Sequence, residues 1–207
     1  MITVIIPVYN GEKYFDQCLT SISGAQILVV NDASTDTSRQ IAARYTTNII
    51  DTDHMGPVCA RNIGVLHANS EYLMFMDADD CLVEGALKIL AESIDDNDIV
   101  IGLRQDFVSP DCTWLTVPEK KSSHGVISGC ALIRQDAFDR VGLFDQELMC
   151  GDGYDWLLRA EKMGLKIKKI DTVLCMRRIH DTNMGRTLKD QEYKDYCKII
   201  RKHFGKK

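Results

Sequence analysis

The sequence lacks the features that mark several large classes of protein. Its eight cysteines form no Cys-x-x-Cys pair, which argues against a zinc site or a disulfide framework. No apolar run approaches the roughly 20 residues that cross a bilayer. Prolines number only four, and the net charge of −5 gives no basic footprint for nucleic acid. We therefore expect a soluble globular protein with no nucleic-acid partner.

A signal peptide is also missing, because Met1 leads directly into a strand of β-branched residues (2–7). This predicts a cytoplasmic location. Strands at 2–7, 26–30 and 48–50 alternate with helices, an order that predicts an α/β fold with a parallel sheet. Asn10 follows the first strand and is predicted to cap the next helix.

One apolar segment runs straight into three carboxylates. Residues 72–76 have the unbroken apolar pattern of a buried strand, and Asp77, Asp79 and Asp80 follow it. In an extended segment Asp77 and Asp79 would point to the same side, where Mg²⁺ or Mn²⁺ could lie between them. The alternative is that Asp79 or Asp80 caps the helix that follows.

The second half of the chain is less regular. Residues 106–123 lose the pattern and are predicted to be a loop-rich connection, with Pro110, Pro118 and Lys120-Lys121 in it. The other predicted elements are strands at 98–103, 126–133, near 167 and at 173–176, and helices at 134–141, 151–163 and 189–203.

Several motifs in order along the chain resemble the inverting glycosyltransferases of family 2, which have the GT-A fold. The motifs are Val4-Ile-Ile-Pro-Val-Tyr-Asn10, Val29-Val-Asn-Asp-Ala-Ser-Thr-Asp36, Gly56-Pro-Val-Cys-Ala-Arg-Asn62, Met76-Asp-Ala-Asp-Asp80, Ser128-Gly129 and Gly142-Leu-Phe-Asp145. The resemblance covers nearly the whole chain and implies one GT-A domain (1–207), with a mostly parallel central sheet. A nucleotide-sugar and metal half (1–105) would join a smaller acceptor half (106–207).

What the resemblance implies about function is transfer of a sugar from a nucleotide donor, with a UDP-sugar favoured, to a sugar, lipid-linked or protein acceptor. The resemblance also implies inversion at the anomeric carbon, a Mn²⁺ or Mg²⁺ cofactor, and a role in bacterial surface polysaccharide or glycoconjugate synthesis. The small acceptor half suggests a homo-oligomer or a partner. The basic tail (198–207) suggests peripheral contact with a membrane, against the alternative of a solvated helix.

The resemblance also assigns site residues. The donor would be bound by Pro7, Val8, Tyr9, Asn10, Asp32, Arg61, Asp77, Ala78, Ser128, Gly129 and Arg178, and the metal by Asp77, Asp79 and His180. Each has a structural alternative. Asp32 could cap the next helix instead of binding a uracil ring, and Arg61 could form an ordinary ion pair. Ser128-Gly129 could be a β-bulge, and His180 a surface or core residue.

The chain departs from the family where the catalytic base is expected. The family carries Glu-Asp before a helix that here contains Tyr154, Asp155 and Arg159, but this chain reads Asp152-Gly153. We expect Asp152 to be the base, with Asp155 paired to Arg159 as an orienting group. Alternatives are that Asp152 only caps the helix, and that the protein is a non-catalytic nucleotide-sugar binder.

Two related classes of enzyme are alternatives to an inverting glycosyltransferase. A sugar-phosphate nucleotidyltransferase has a related fold, but no Gly-rich N-terminal loop is present. A retaining transferase would use similar parts with opposite stereochemistry.

Overall fold

The computed structural model describes residues 1–116 and 122–205, which fold into one mixed sheet covered by helices on both faces. The strands are β1 (Ile2–Val8), β2 (Gln26–Asn31), β3 (Ile49–Asp51), β4 (Tyr72–Phe75), β5 (Cys81–Leu82), β6 (Ile99–Val108), β7 (Ser122–His124), β8 (Ala131–Arg134) and β9 (Ile167–Ile179). The helices are α1 (Glu12–Thr20), α2 (Ser38–Ala42), α3 (Pro57–His67), α4 (Ala86–Ser93), α5 (Asp136–Val141), α6 (Asp152–Lys162), α7 (Met184–Thr187) and α8 (Lys189–Phe204).

The sheet changes character at its centre. Its strand order is β3-β2-β1-β4-β8-β6-β9-β5, with β7 paired to β6. The first four strands of this order are parallel, as predicted for a βαβ succession. β8 then runs antiparallel to β4, while β6 and β9 are parallel to each other. β4 therefore lies where the parallel half meets the mixed half, and its carboxyl end faces both.

The core has two layers because alternate residues of the central strands point to opposite faces. Val4 and Ile6 of β1 pack with α1, α2 and α4, whereas Ile5 packs with α3, α5 and α6. Gly64 lets α3 lie close to the sheet, since a Cβ there would come within 2.3 Å of the Ile5 side chain. Asn62 also exchanges hydrogen bonds of 3.0 and 2.9 Å with the Phe144 backbone, which fixes α3 against the second half.

Three predictions about the second half were wrong. β6 continues to Val108, so the loop-rich connection begins later than residue 106. The strand predicted at 126–133 is shorter, because Ser128 and Gly129 precede β8 and form a turn against β4. The two short strands predicted near 167 and at 173–176 are one long strand, β9, whose pairing with β6 is irregular near Leu103.

The other predicted elements have boundaries within a few residues of those observed, whereas β5, β7 and α7 were not predicted. Pro118 and Lys120-Lys121 of the predicted connection, and the last two residues of the basic tail, lie outside the described residues. Within the part of the chain that is described, no helix is both long and apolar enough to span a membrane.

Candidate active site

A cavity of about 750 Å³ opens at the carboxyl ends of β1, β2 and β4. Ligands of open α/β sheets bind at this edge, where the strand order reverses. Its first wall is made by residues 7–11, at the end of β1 and just after it, and by Asp77–Asp80 after β4. Its second wall comes from residues 149–152 at the start of α6 and from the segment after β9. Both halves of the chain therefore meet in one cleft.

The end of β1 and the residues after it line the cavity with Pro7, Val8, Tyr9 and Asn10, all four of them predicted donor contacts. The prediction that Asn10 caps α1 was wrong. Gly11 occupies the capping position, and the Asn10 side chain instead accepts hydrogen bonds from the backbone N–H groups of Thr35 and Asp36, at 2.8 and 3.3 Å. Asn10 has a φ of +51°, so it forms the turn that joins the first two strand ends.

Asp32 also lines the cavity but does not cap α2. Its buried carboxylate accepts hydrogen bonds from the backbone N–H groups of Met55 and Gly56, at 2.7 and 2.8 Å, and from the Thr52 hydroxyl at 2.8 Å. Three of about four lone-pair sites are thus used within the protein. Asp32 therefore fixes the turn before α3, and His54 Nδ1 also lies 3.5 Å from its Oδ2.

His54, which was not among the predicted site residues, forms a ring pair with Tyr9. Their centroids lie 4.1 Å apart, both residues line the cavity, and Tyr9 is half exposed. His54 has a φ of +45° in the turn that Asp32 fixes. A single histidine has no periodicity by which it could be assigned to a site. Only the turn-forming sequence Asp53-His54-Met55-Gly56 could have indicated that His54 lies in a loop near the site.

The carboxylates after β4 do not point the same way. A turn at Ala78 and Asp79 replaces the extended segment that was expected, so the prediction of a shared side was wrong. Asp77 turns toward Arg61, at 3.3 Å. Asp79 turns toward the second half, where its Oδ2 lies 2.9 Å from His180 Nε2 and accepts a hydrogen bond from the Asn183 amide at 3.1 Å. All four residues from Asp77 to Asp80 still line the cavity.

Asp80 serves the fold of this loop. It is buried, and its carboxylate accepts a hydrogen bond from the Arg178 backbone N–H at 2.9 Å. Burial, followed by the neighbouring charges of Asp79 and Asp77, raises its pKa well above the usual range. The loop therefore concentrates negative charge next to the cavity, as a cation-binding segment would.

Arg178, predicted to contact the donor, is a structural residue. Its side chain is buried, and its guanidinium donates to the Asp79 carbonyl at 2.9 Å and to Gln17 at 2.6 Å. The same group packs over the rings of Tyr14 and Phe107. Neighbouring Arg177 lines the cavity instead. Successive residues of a strand face opposite sides, so the sequence alone could not tell which arginine faces the cleft.

Ser128 and Gly129 were predicted to leave room for the donor sugar, but they do not line this cavity. Gly129 has a φ of +72° and donates a 2.7 Å hydrogen bond to the Phe75 carbonyl. A Cβ at Gly129 would lie 2.4 Å from the Cys175 sulfur. The absent side chain is therefore required by core packing between β4 and β9, behind the carboxylate loop.

The expected base, Asp152, reaches the cavity. It is the first residue of α6, after Gly151 in the left-handed conformation, and its side chain is 11% exposed. Arg61 Nη1 donates to its carboxylate at 2.9 Å, and Arg61 Nη2 donates to Asp77. Arg61 thus joins the metal-motif loop to the base. Burial opposes the charge of Arg61, but Asp152 and Asp77 raise its pKa overall.

Asp155 does not reach the cavity. Its predicted pairing with Arg159 is confirmed, at 2.9 Å, and the fully buried carboxylate also contacts His203 and Lys202 of α8, at 2.8 and 2.9 Å. Burial alone would raise its pKa, yet hydrogen bonds from His203, Lys202 and Arg159 lower it overall. Asp155 therefore anchors α6 to α8 and contacts no substrate space.

A divalent cation fits the Asp79–His180 pair. A carboxylate and an imidazole are suitable ligands for Mn²⁺, and the Asp79 side chain is 30% exposed to the cavity. His180 Nδ1 lies 2.9 Å from the Thr182 hydroxyl, a contact that can orient the ring. Among residues 1–116 and 122–205, no group of three His, Cys, Asp or Glu side chains is arranged to hold a metal. Diphosphate oxygens and water would have to complete the coordination, as is usual for Mg²⁺.

Comparison with known sequences identifies the family. Residues 3–119, more than half of the chain, match the model of glycosyl transferase family 2. An uncharacterized glycosyltransferase of Rickettsia typhi is 27% identical over 220 residues, covering 92% of this chain and 68% of the relative. The poly(ribitol-phosphate) beta-N-acetylglucosaminyltransferase TarS of Staphylococcus aureus is 32% identical over 108 residues, covering 46% of this chain and 19% of that protein.

Solved structures share the fold. TarS 1-349 of S. aureus in complex with UDP-GlcNAc has a TM-score of 0.70 at 23% identity, covering 88% of this chain and 59% of that one. The mannosyltransferase PcManGT from Pyrobaculum calidifontis, in complex with GDP-Man and Mn²⁺, has a TM-score of 0.70 at 16% identity, covering 100% and 64%. This chain thus spans about three fifths of both structures, and the predicted GT-A fold is confirmed. The chain belongs to glycosyl transferase family 2.

Proposed function

We propose that this member of glycosyl transferase family 2 moves a sugar from a UDP-sugar to an acceptor hydroxyl, with inversion and with a divalent cation. The observation that carries the proposal is a single cavity lined by Asp77 and Asp79 from the first half and by Asp152 from the second. Carboxylates on one side of the reacting carbon can hold the cation that a donor diphosphate needs. A carboxylate on the opposite side can accept the proton of the acceptor hydroxyl.

The nucleotide is proposed to lie at the ends of β1 and β2. Tyr9 and His54 offer aromatic surface for a base, and the Asp32 carboxylate at the cavity wall is the acceptor proposed for a ring N–H. The fold is shared with structures holding UDP-GlcNAc in one case and GDP-Man in another. UDP is favoured because its uracil ring is small and has one N–H donor, which a single carboxylate can accept.

The cation is proposed to be Mn²⁺ or Mg²⁺, held by Asp79 and His180. When bound it would neutralise the charge that develops on the leaving diphosphate. Arg177, which also lines the cavity, supplies a second positive group toward the same oxygens. Asp77 is held by Arg61, so its part is to shape the loop and position that arginine.

Asp152 is proposed to be the base. The acceptor oxygen attacks the anomeric carbon from the face opposite the nucleotide, and the bond from that carbon to the phosphate oxygen breaks. The acceptor proton passes to the Asp152 carboxylate, and UDP leaves. Arg61 fixes the position of the Asp152 carboxylate through the 2.9 Å contact. A carboxylate aimed into the cavity favours catalysis over the non-catalytic alternative.

The acceptor is proposed to enter beside residues 149–152. Exposed Met149 and Met184 and the carboxylate of Glu192 line this end of the cavity. Lys198 of the basic tail pairs with Asp195, and Lys202 pairs with Asp145 and Asp155, which reduces the charge available to a membrane. A sugar or lipid-linked hydroxyl therefore meets an open, mixed apolar and acidic surface.

The test is release of nucleoside diphosphate from UDP-GlcNAc, UDP-Glc, GDP-Man and dTDP-Glc with Mn²⁺, with and without added sugar acceptors. We expect a UDP-sugar to react fastest and Asp152→Asn to lower turnover about 100-fold or more, with UDP affinity little changed. Glu192→Gln, at another carboxylate of the same cavity, is the matched control and should stay near wild type. No release from any donor would contradict the proposal, and loss in the control alone would move the base to Glu192.

A further inference from the structure

We infer that Asp195 of α8 is a positioning residue for the base, acting through the backbone of Met149 and Cys150. This inference rests on the proposed function of Asp152. Asp195 lies outside the cavity, and residues 3–119 that match the family include neither it nor α8. Its contacts nevertheless end at the segment that carries Asp152.

Asp195 is a fully buried carboxylate whose partners are divided between two elements. Its Oδ2 accepts the backbone N–H groups of both Met149 and Cys150, at 2.9 and 3.1 Å. Its Oδ1 accepts the Gln191 amide at 2.9 Å and lies 3.1 Å from Lys198 Nζ. Burial alone would raise the pKa of Asp195, but these hydrogen bonds lower it overall, so a charged acceptor faces the two loop N–H groups.

The two loop residues stand directly before the base. Gly151 follows them with a φ of +76°, and its carbonyl accepts the Asp155 N–H at 2.9 Å, which starts α6. A Cβ at Gly151 would lie 2.9 Å from Ile199 Cδ1, so α8 also supports this turn by close packing. Asp152 is the next residue, so a displacement of the turn backbone also displaces its carboxylate.

The arrangement needs this support because the segment before Asp152 has no secondary structure of its own, and the Asn62 hydrogen bonds that anchor it are farther back, at Phe144. Residues 142–151 belong to no helix or strand, and Gly153 adds no side chain to hold the first turn of α6 in place. Arg61 holds the Asp152 carboxylate from one side of the cavity. Asp195 holds the backbone of Met149 and Cys150, which lie three and two residues before Asp152. Displacements of about 1 Å in a catalytic group can cost roughly 100-fold in rate.

The test compares Asp195→Ala, Asp195→Asn and Lys198→Ala by steady-state kinetics, using the nucleotide sugar that releases diphosphate fastest. We expect Asp195→Ala to lower kcat about 10- to 100-fold while KM for the donor and the affinity for UDP stay close to wild type. Asp195→Asn keeps an oxygen toward both loop N–H groups and should restore most of kcat. Lys198→Ala removes an exposed partner of Asp195 that also donates to the Glu147 carbonyl but forms no hydrogen bond with Met149 or Cys150, so it should be near normal.

Ile199→Ala provides an independent route if Asp195→Ala does not fold, because it removes the packing beneath Gly151. It too should lower kcat with little change in UDP affinity. A kcat within about twofold of wild type in Asp195→Ala or, where that variant does not fold, in Ile199→Ala would overturn the inference. An equal loss in Lys198→Ala would overturn it as well. Asp152→Asn is measured in the same series, so failure of the proposed base, seen as normal turnover in that variant, is distinguished from failure of Asp195 as its support.

Discussion

Arg61 and Asp152 form a 2.9 Å ion pair although 91 positions separate them in the chain. The same guanidinium reaches Asp77, so one side chain connects the loop that follows β4 to the start of α6. The fork of an arginine suits this bridge, because its nitrogens can serve two carboxylates at once. The separation between the two carboxylate groups is therefore set by a third residue from α3.

Replacing Arg61 by Gln should separate binding from turnover. Without the positive charge, Asp77 and Asp152 make the cavity more negative, so Mn²⁺ alone should bind roughly fivefold more tightly, the effect of about 1 kcal/mol. Turnover should fall, since Asp152 loses its contact. Calorimetric titration with Mn²⁺ measures the change in affinity, and steady-state kinetics measure the change in turnover. Arg61→Lys keeps the charge and should bind Mn²⁺ like wild type; weaker Mn²⁺ binding in Arg61→Gln would contradict the prediction.

Asp79→Ala should abolish a metal-dependent stabilisation by UDP. In wild type we expect UDP with Mn²⁺ to raise the melting temperature more than either alone, because a ligand of the native state stabilises it by mass action. The variant should lose this rise while its ligand-free melting temperature is unchanged or slightly higher, since one of three clustered carboxylates is gone. Asp96→Asn, an exposed carboxylate distant in the fold, is the control for differential scanning fluorimetry. Unfolding of Asp79→Ala without ligand would identify Asp79 as structural instead.

Gly129→Ala should destabilise the fold by about 2–4 kcal/mol, through left-handed strain plus overlap with the Cys175 sulfur. Gly164→Ala is a matched control, because its φ is +76° and nothing lies within 4 Å of an added Cβ. That control should cost only about 1 kcal/mol, from strain alone. Urea unfolding measures both, and Cys175→Ala in the Gly129→Ala background should recover part of the loss. Equal costs at the two glycines would show that the sulfur contact is unimportant.

The Asp155 network should make stability fall in acid. Its carboxyl pKa is lowered in the folded state, so its contribution is present above the ordinary value near 3.9 and is lost as the pH falls through the lowered pKa. Asp155→Asn should therefore be less stable than wild type by roughly 2–4 kcal/mol at neutral pH, with the difference shrinking toward pH 3. Denaturant unfolding at several pH values tests this, with exposed Asp190→Asn as control. A difference that is constant from pH 7 to 3 would rule out the charge of Asp155 as its cause.

The nucleotide half could be predicted well because its signals are local. Buried strands such as 72–76 show as apolar runs, and the polar residues that end them must gather at one edge of a parallel sheet. The same logic placed Asp32 and Asp77 at the cavity correctly. It could not give their partners, because hydrogen bonds from Met55 and Arg61 depend on how the turns close.

The second half was predicted less well because its functions are set by register and distant packing. Arg177 and Arg178 are adjacent, and only the pairing of β9 with β6 decides which one is buried. Gly129 was interpreted as space for a ligand, but that space is occupied by a sulfur from β9. Asp195 gave no signal at all, since a carboxylate in an amphipathic helix is normally a solvated residue.

The pairing of β5 with β9 also determines when the site is completed during synthesis. Asp79 and His180 are 101 positions apart, so β9 reaches the carboxylate loop only long after that loop has been made. Domains begin to fold while their C-terminal parts are still being synthesised. A nascent chain released before residue 180 would hold β1–β4 and the carboxylates but neither His180 nor the support from α8. Premature termination would thus yield fragments without the Asp79–His180 pair that is proposed to hold the cation.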